Sequence, residues 1–372
     1  MRSKETVAIC TISDISTDYR LHKMALSISK NNFIPYFITR RRKGHLNESK
    51  EFNVKILNLI FEKGPFFYLE YNIRIFFFLL INSPDVIFSV DLDTLAGTRL
   101  AAFLLRKPII FDSHEYFPES PELQHRPAIK KIWQINERIF VPTIKYGITV
   151  CDSIADIYKK KYGKTFKVIR NLPLADNDID FDSNRMHSKD NKDFTLIYQG
   201  AVNIGRGITE IIESLQYVNN VNLIIVGDGD IYDEVVRLIT KLNLSDRVKL
   251  TGKIPFHEIP YYTKQADLGL ILLENMGLNY YYSLPNRVFD FIKHKVPILA
   301  IDFPEIKKVV EEYDVGYCVS DLDPKYLAET IAKIRNDKER IEQWKLNAEK
   351  ASRELTWEKD EIYLSEILKE IS

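Results

Sequence analysis

The stretch Thr195–Ile208, TLIYQGAVNIGRGI, contains the structural unit from which the rest of the chain is built. Thr195–Gln199 is a run of apolar, aromatic and β-branched residues, which is typical of a buried strand. The loop Gly200–Gly207 follows this run, and a helix is predicted to open at Ile208. A strand that ends in a glycine loop and continues as a helix predicts an α/β fold with a parallel sheet.

The same alternation of short apolar runs and longer amphipathic stretches continues along the whole chain. The predicted strands are Val7–Ile12, Pro35–Ile38, Lys55–Leu59, Val86–Val90, Pro108–Phe111, Gly147–Val150, Lys167–Ile169, Thr195–Gln199, Asn222–Val226, Val248–Thr251, Leu268–Leu272, Ile298–Ala300 and Gly316–Val319. Two Rossmann-like, doubly wound parallel sheets that face each other across a cleft are therefore predicted.

A length of 372 residues suits two domains of ordinary size. Residues 175–192 are rich in Asp, Asn, Ser and Lys and have no apolar period, which is typical of a solvated connection. The predicted domains are therefore 1–175 and 193–350. A helix over 356–372 is expected to pack back toward the N-terminal domain. Ligands of such sheets bind off the carboxyl ends of the strands, so site residues are expected in strand-to-helix loops of both domains.

The composition excludes several classes of protein. Lys plus Arg equals Asp plus Glu, at 52 each, so no nucleic-acid footprint is expected. The cysteines Cys10, Cys151 and Cys318 have no metal spacing and favour a reducing, cytoplasmic location. Met1–Glu5 does not resemble a secretory signal, and the apolar run Ile73–Ile81 is shorter than the roughly 20 residues that span a bilayer. We therefore expect no membrane-crossing segment.

The segment Ser283–Asp290, SLPNRVFD, is predicted to start a helix that holds an anion. Ser283 is a favourable N-cap and Pro285 suits the first helical turn, which would leave backbone amides facing a ligand. Asp290 lies three residues after Arg287, so both can share one helix face. Amides and a cation would bind phosphates while the carboxylate binds hydroxyl groups, and sugar nucleotides carry both.

Two glycine turns follow strands of the second sheet. Gly205-Arg206-Gly207 allows the backbone to approach an anion while Arg206 adds a cation, although a plain turn with a solvated arginine is the alternative. Its position directly after a strand favours phosphate contact. In Gly227-Asp228-Gly229 the third glycine of a dinucleotide fingerprint is replaced by Tyr232, so a tight turn is as good an interpretation as a ligand loop.

Titratable residues follow two strands of the first sheet. His114 lies in Asp112-Ser113-His114-Glu115, where it either binds a sugar hydroxyl or steers a proton, or has only a structural role. Asp91-Leu92-Asp93 matches an Asp-x-Asp metal clamp by letter. A loop with a helix cap is the favoured interpretation there, so no metal is expected to be required.

A basic run, Arg40–Lys43, precedes a set of aromatic residues. These aromatic residues are Phe66, Phe67, Tyr68, Phe76, Phe77 and Phe78. Together they either rest on an anionic bilayer or form a solvated loop beside a core helix.

In their order and spacing these motifs resemble the retaining glycosyltransferases of the GT-B fold, family 4, also called glycosyl transferases group 1. That group includes bacterial polysaccharide and lipopolysaccharide enzymes. The resemblance covers nearly the whole chain. It is carried by Thr17–Arg20, Asp91–Leu95, Asp112–Glu115, Arg170–Pro173, Gly205–Gly207, Gly227–Gly229 and Ser283–Asp290.

The resemblance implies a hexosyltransferase-type enzyme with a UDP- or GDP-sugar donor and a saccharide or lipid-linked saccharide acceptor. The nucleotide sugar would be a substrate, and no cofactor is implied. His114 and Arg206 would be catalytic. The donor-binding residues implied are Gly205, Arg206, Gly227, Gly229, Ser283, Leu284, Pro285, Asn286, Arg287 and Asp290. The acceptor-side candidates are Asp18, Arg20, Asp91, His114 and Glu115.

Two departures from the family pattern bear on the donor site. The pair of glutamates that the family often has, eight positions apart, corresponds here to Tyr282 and Asp290. Gln199 and Gly200 occupy the place of a basic residue, so donor phosphates would depend on Arg206 and also on Arg287.

The implied chemistry is electrostatic, because the departing diphosphate gains negative charge that the protein must neutralise. The product would keep the anomeric configuration through same-face attack. The alternatives are a nucleotide-sugar epimerase, a phosphorylase, a catalytically silent nucleotide-sugar binding subunit and, less favoured, a Rossmann dehydrogenase that binds NAD.

Overall fold

Two units, each with its own parallel sheet, make up the chain. The computed structural model describes residues 4–41, 49, 51–175 and 193–372. Unit 1 comprises Met1–Asn171 with Trp357–Ser372, and unit 2 comprises Leu172–Thr356. Apart from residue 175, the predicted connection lies outside the described residues, as do Arg42 and Lys43 of the basic run.

The sheet of unit 1 has the strand order β3-β2-β1-β4-β5-β6-β7 in the described residues, and all pairs are parallel. Its strands are β1 Thr6–Cys10, β2 Ile34–Arg40, β3 Asn53–Leu57, β4 Val86–Val90, β5 Ile109–Ser113, β6 Tyr146–Thr149 and β7 Phe166–Val168. All five residues of β4 and of β5 are buried, as expected for strands covered on both faces.

Helices connect these strands, numbered in chain order over both units. Those of unit 1 are α1 Tyr19–Lys30, α2 Gly64–Asn82, α3 Asp91–Leu105, α4 Pro121–Gln124, α5 Pro127–Phe140, α6 Asp152–Tyr162 and α15 Trp357–Ile371. Helix α15 contacts α1, and the Trp357 indole N–H donates to Ser27 Oγ at 2.9 Å. The C-terminal helix is thus part of unit 1.

Helix α2 is longer than the apolar run within it suggested. It has 19 residues and, within the described part of the chain, is the one helix long and apolar enough to cross a membrane by length and composition. Phe67, Tyr71, Ile75 and Leu79 form its buried stripe at intervals of four residues, so one side of α2 belongs to the core of unit 1.

The sheet of unit 2 is also parallel. Its strand order in the described residues is β10-β9-β8-β11-β12-β13. Its strands are β8 Phe194–Gln199, β9 Val221–Val226, β10 Val248–Leu250, β11 Leu268–Ile271, β12 Ile298–Ile301 and β13 Gly316–Val319. Every predicted strand of both units is present, with its ends shifted by no more than two residues.

Helices and a continuous apolar core complete unit 2. The helices are α7 Ile208–Ser214, α8 Tyr232–Lys241, α9 Ile259–Thr263, α10 Leu278–Tyr281, α11 Arg287–Lys293, α12 Pro304–Glu312, α13 Pro324–Asn336 and α14 Lys338–Glu354. Asp323 caps α13 by accepting from the amides of Lys325 and Tyr326, with Pro324 in the first turn.

The strand order reverses once in each sheet, and the reversal marks where ligands of such folds bind. In unit 1 it lies between β1 and β4, and in unit 2 between β8 and β11. Loops after these strands diverge and leave a crevice at the carboxyl edge of the sheet. Asp91 follows β4 directly, and the loop Gly200–Gly207 follows β8. Predicted site residues thus lie at both reversals.

Candidate functional site

A buried guanidinium with unused donors lies at the carboxyl end of β8. Arg287, the first residue of α11, is 8% exposed, and its Nη1 donates to the carbonyl of Gln199 at 3.2 Å. The guanidinium stacks on the Tyr198 ring at 4.7 Å. Its Nε and Nη2 are buried and have no hydrogen-bond partner among the described residues. Burial lowers the pKa of Arg287, and the nearby positive charge of Arg206 lowers it further.

Arg206 is the second cation of this site. It follows β8 in the loop Gly200–Gly207, and its guanidinium stacks on the Tyr280 ring at 4.6 Å. Its Nε is also buried without a hydrogen-bond partner in the described part of the chain. Arg206 and Arg287 thus supply three buried nitrogens that hydrogen-bond to no described residue, in a place with two like charges. Buried N–H donors of this kind are costly unless an acceptor binds them, so the arrangement fits an anion.

The glycines beside Arg206 are required by packing against the protein itself. Gly205 has φ +78°, and a Cβ there would lie 2.2 Å from Met276 Sδ. Gly207 has φ +67°, and its Cβ would lie 2.5 Å from the carbonyl oxygen of Leu272. The sequence suggested that these glycines admit an anion to the backbone. In the structure the space of each missing side chain is filled by protein, and the loop is thereby held against the end of β11.

The Gly227–Gly229 turn is held in a similar way. A Cβ on Gly227, which has φ +142°, would lie 1.9 Å from the carbonyl oxygen of Gly200. A Cβ on Gly229 would lie 2.3 Å from Asn203 Oδ1, and the Val202 amide donates to Asp228 O at 3.1 Å. The two loops therefore interlock, which favours the tight-turn interpretation. Nucleotide contact by these glycines stays a prediction.

The predicted helix start at Ser283 is wrong. Helix α11 begins at Arg287 with Asn286 as its N-cap, so Ser283 and Pro285 precede it. Ser283 Oγ instead donates to the carbonyl of Tyr280 at 2.8 Å, at the end of α10. Local capping signals indicated a helix, but this segment turns between two short helices.

Free amides are nevertheless present in that segment. Within the described part of the chain, the amides of Leu284, Asn286 and Arg287 donate to no partner. They precede or begin α11, next to the Arg287 guanidinium on the same helix. The expected role of the segment toward an anion thus depends on these amides and on Arg287 rather than on a helix capped by Ser283.

Asp290 and Arg287 both hydrogen-bond to Gln199, as expected for two residues that share one face of a helix. Gln199 Nε2 donates to Asp290 Oδ2 at 3.2 Å, while the Gln199 carbonyl accepts from Arg287. Gln199 Oε1 in turn accepts from Thr263 Oγ1 at 2.9 Å. The sequence singled out Gln199 only as a departure from the family pattern. Its role as the residue that orients Asp290 was missed, because it depends on contacts between three distant segments.

A chain of ion pairs lies at the carboxyl edge of the unit 1 sheet. Asp112, within β5, is fully buried and binds the Arg20 guanidinium through two contacts of 2.8 and 3.1 Å. Arg20 Nη1 also donates to the carbonyl of Ile169 at 2.7 Å. Burial alone would raise the pKa of Asp112, but Arg20 and His114 outweigh it and hold that pKa well below its usual range. Arg20 thus has a structural partner, and a contact of Arg20 with an acceptor stays a prediction.

His114 lies between two carboxylates. Its Nε2 is 2.9 Å from Asp112 Oδ2, its Nδ1 is 3.6 Å from Asp91 Oδ2, and its amide donates to Asp91 Oδ1 at 2.8 Å. Burial alone would lower the pKa of His114, but Asp91 and Asp112 outweigh it and raise that pKa to about 9. The imidazole is therefore a cation at neutral pH. Its side chain is 19% exposed, so the charged ring is within reach of a ligand.

Two of the remaining acceptor-side candidates, Asp91 and Asp18, make contacts that support the structure of unit 1. Asp91 is the first residue of α3, with φ +57°, and binds His114 instead of capping the helix, so the cap interpretation is wrong for it. Asp18 caps α1 by accepting from the Leu21 amide at 3.2 Å. Glu115 is half-buried directly after His114. Asp93 is buried, and burial raises its pKa well above the ordinary value.

Among the described residues, no group of three or more His, Cys, Asp or Glu side chains is placed to hold a metal ion. Cys10, Cys151 and Cys318 form no disulfide bond.

A family model described as "Glycosyl transferases group 1" matches residues 180–351. An uncharacterized glycosyltransferase of Methanocaldococcus jannaschii is 20% identical over 176 residues, which cover 47% of this chain and 48% of that protein. The alpha-D-kanosaminyltransferase of Streptomyces kanamyceticus is 24% identical over 158 residues, 41% of this chain and 39% of that protein. The chain thus matches about half the length of the first relative and less of the second.

Solved structures extend the similarity to the whole chain. HepE of Anabaena, solved in complex with UDP-glucose, superposes with a TM-score of 0.77 and 16% identity over 98% of this chain and 100% of that one. At this identity the similarity shows the fold alone. The predicted GT-B fold class, with two Rossmann-like units, is confirmed.

Proposed function

We propose, from the match of residues 180–351 to the model of the glycosyl transferases group 1, that this protein is a retaining glycosyltransferase with a UDP- or GDP-sugar donor. The acceptor is a saccharide or lipid-linked saccharide. The observation that carries the proposal is the pair Arg206 and Arg287, whose buried nitrogens have no hydrogen-bond partner among the described residues.

A diphosphate suits this pair because it has several oxygens and more than one negative charge. One phosphate accepts from Nε and Nη2 of Arg287, and the other accepts from Nε of Arg206, which relieves the repulsion between the two guanidinium groups. Asp290, held by Gln199, accepts from the ribose hydroxyls. Each contact uses an atom that lies at or near the reversal point of the unit 2 sheet.

The same cations assist the reaction. When the bond from the anomeric carbon to the phosphate oxygen breaks, negative charge grows on the departing diphosphate. Arg206 and Arg287 are already fixed by stacking on Tyr280 and Tyr198, so they stabilise that charge without reorganisation.

His114 acts as a charged hydrogen-bond donor to a hydroxyl group of a substrate, not as a general base. With a pKa raised to about 9 it holds its proton at neutral pH. The proton of the attacking acceptor hydroxyl is therefore taken by an oxygen of the departing phosphate. The acceptor oxygen bonds to the anomeric carbon on the face that the diphosphate leaves, so the configuration is retained.

The resemblance of the sequence to bacterial polysaccharide and lipopolysaccharide enzymes favours a role in building a surface glycan. That role fits a cytoplasmic enzyme at the inner face of the cell membrane, and three cysteines without a disulfide bond fit a reducing compartment.

The first experiment incubates the protein with UDP- and GDP-sugars and measures release of the nucleoside diphosphate with and without saccharide acceptors. We expect acceptor-dependent release for one donor, with an unchanged anomeric coupling in the NMR spectrum of the product. Conversion to a different sugar nucleotide without release would instead indicate an epimerase. Binding without any turnover would indicate a silent binding subunit, and binding of NAD alone would contradict the proposal.

The variant Arg206→Ala tests whether the proposed donor site carries the transferase activity. Arg206→Ala is expected to lower kcat more than donor affinity, because the charge that Arg206 stabilises grows as the bond breaks. Arg237→Ala, which removes an exposed arginine of α8, is the control and is expected to have wild-type kinetics. Wild-type kinetics in both variants would remove the site assignment.

A further inference from the structure

Three helices of unit 1 form one connected layer. Asn72 of α2 donates to the carbonyl of Asp93 at 2.7 Å and accepts from the amide of Gly97 at 2.8 Å, both in α3. Asn136 of α5 donates to the carbonyl of Leu92 in α3 at 3.0 Å. The rings of Tyr68 in α2 and Trp133 in α5 are in edge contact at 4.9 Å. The layer α2–α3–α5 is thus held together by polar and aromatic contacts.

The side of this layer away from the core is apolar. Large side chains on all three helices are between 48% and 82% exposed, and we call them the apolar face: Phe66, Leu69, Ile73, Phe77, Ile81, Leu100, Phe103, Leu104, Ile132, Ile135 and Ile139. On α2 the exposed members recur every three or four residues, opposite the buried stripe, so this helix is apolar on both sides. An exposed apolar surface that extends over three helices marks an interaction site.

The exposed charges of the layer are all positive. Lys131 and Arg138 are exposed, and so is Arg74, which pairs with Glu70 at 2.7 Å. The carboxylates of these helices are half-buried or buried, namely those of Glu70, Asp91, Asp93 and Glu137. The charged residues that cap these helices are also exposed cations, namely Lys63, Arg106 and Arg126. The apolar face is therefore accompanied by exposed positive charge.

We propose that the apolar face lies on a lipid bilayer that contains anionic lipids. The apolar side chains enter the region below the headgroups while the cations contact lipid phosphates. A second copy of the chain suits the face less well. A two-fold symmetric dimer would bring the same cations of both copies to one interface, where they repel each other. Anionic headgroups neutralise them instead. This inference does not depend on the proposed function, because it concerns a surface and not the donor site.

The test measures cosedimentation of the full chain with vesicles, without donor or acceptor. Phosphatidylcholine vesicles are compared with vesicles of phosphatidylcholine and phosphatidylglycerol in a ratio of about 7:3. The protein is expected to bind the anionic vesicles at least about tenfold more tightly, and added salt is expected to weaken the binding. No binding to either vesicle would overturn the proposal.

Two double variants identify the surface. Phe77→Glu with Phe103→Glu is expected to reduce vesicle binding at least about tenfold, since charged groups cannot enter the bilayer without cost. Both positions are exposed, so an unchanged thermal melt is expected. Leu346→Glu, which alters an exposed leucine of α14 in unit 2, is the matched control and should bind like wild type.

Lys131→Glu with Arg138→Glu is expected to abolish the preference for phosphatidylglycerol, whereas Lys350→Glu in α14 is expected to keep it. Wild-type vesicle binding by the Phe77 and Phe103 double variant would contradict the proposal. So would a dimer in analytical ultracentrifugation that this double variant dissociates, because the face would then be an interface between two copies.

Discussion

Replacing Arg287 by methionine is expected to make the unliganded protein more stable while removing its affinity for nucleoside diphosphates. The two effects have one cause. Arg287 is buried with Nε and Nη2 unpartnered among the described residues and with Arg206 nearby, so in the free protein its charge is held at a cost. Methionine has a similar length and remains in contact with Tyr198, but it has no charge and no donor.

The size of the stability effect follows from the hydrogen bonds that change. Each buried donor without an acceptor costs about 1–3 kcal/mol, and the substitution removes two such nitrogens. It also leaves the Gln199 carbonyl without the Arg287 donor, and this one unpaired acceptor costs about 1–3 kcal/mol as well. Two unpaired donors are removed and one unpaired acceptor is created. The net change is the cost of one buried unpaired group, so the methionine variant is more stable by about 1–3 kcal/mol. In a domain of this size the melting temperature rises by roughly 2–4 °C per kcal/mol.

The size of the binding effect follows from the contacts proposed for the diphosphate. Two charge-assisted hydrogen bonds are lost, each worth about 1.5–3 kcal/mol. The dissociation constant for UDP or GDP is therefore expected to rise by about a hundredfold or more.

Scanning calorimetry without ligand and titration calorimetry with UDP and GDP measure the two effects. Arg247→Met is the matched control, because Arg247 is an arginine of the same unit whose guanidinium donates to the carbonyls of Leu215, Val218 and Val221. This variant removes the side-chain donor from three carbonyls and is expected to lower the free energy of unfolding by about 3 kcal/mol or more. Nucleotide affinity below its melting temperature should stay unchanged. If Arg287→Met melts at a lower temperature and binds nucleotide like wild type, Arg287 is a structural residue and the reasoning fails.

Three further predictions address the two units. The pKa of about 9 that His114 has in the folded state exceeds the ordinary value of 6.5, so its stabilising charge is fully present below about pH 6.5 and lost as the pH rises through 9. Urea unfolding of wild type and His114→Asn should therefore differ by up to about 3 kcal/mol at pH 6, and the difference should vanish above pH 9. Arg20→Met should lower the free energy of unfolding by about 3–5 kcal/mol, since it takes the two-contact guanidinium partner away from the buried Asp112 carboxylate, and recovery by Arg20→Lys would be partial. Gly227→Ala should cost several kcal/mol more than Gly252→Ala in urea titrations, because both glycines have positive φ but only Gly227 lies against backbone; equal costs would show that the contact relaxes.

The strands and the fold class followed from the sequence because buried parallel strands are continuous apolar runs. Val86–Val90 is such a run, and all five of its residues are buried. The position of His114 after β5 was also readable, since the end of a strand predicts the edge of the sheet. Strand ends were less accurate because polar residues continue β5 through pairing with its neighbours: Asp112 pairs with β4 and β6, and Ser113 pairs with β6.

The partners of the site residues could not be read from the sequence. The pair between Arg20 and Asp112 joins residues 92 positions apart, and the contact of Gln199 with Asp290 spans 91 positions. The helix start at Ser283 was misjudged for a related reason. Capping propensity is local, whereas the turn there follows contacts such as that between the Tyr281 and Phe303 rings.

The sequence left open whether the aromatic residues of α2 are buried or exposed. Aromatic and aliphatic residues occur all around this helix, so periodicity does not separate its buried stripe from its exposed one. Only the packing of α2 on α3 and on the sheet shows which apolar residues are left at the surface.

The central claim is that Arg206 and Arg287 bind the diphosphate of a nucleotide sugar, and a crystal structure with UDP or GDP bound tests it most directly. We expect phosphate oxygens within hydrogen-bond distance of Arg287 Nη2 and Arg206 Nε, with the ribose next to Asp290. A nucleotide bound with its phosphates away from both guanidinium groups would contradict the account.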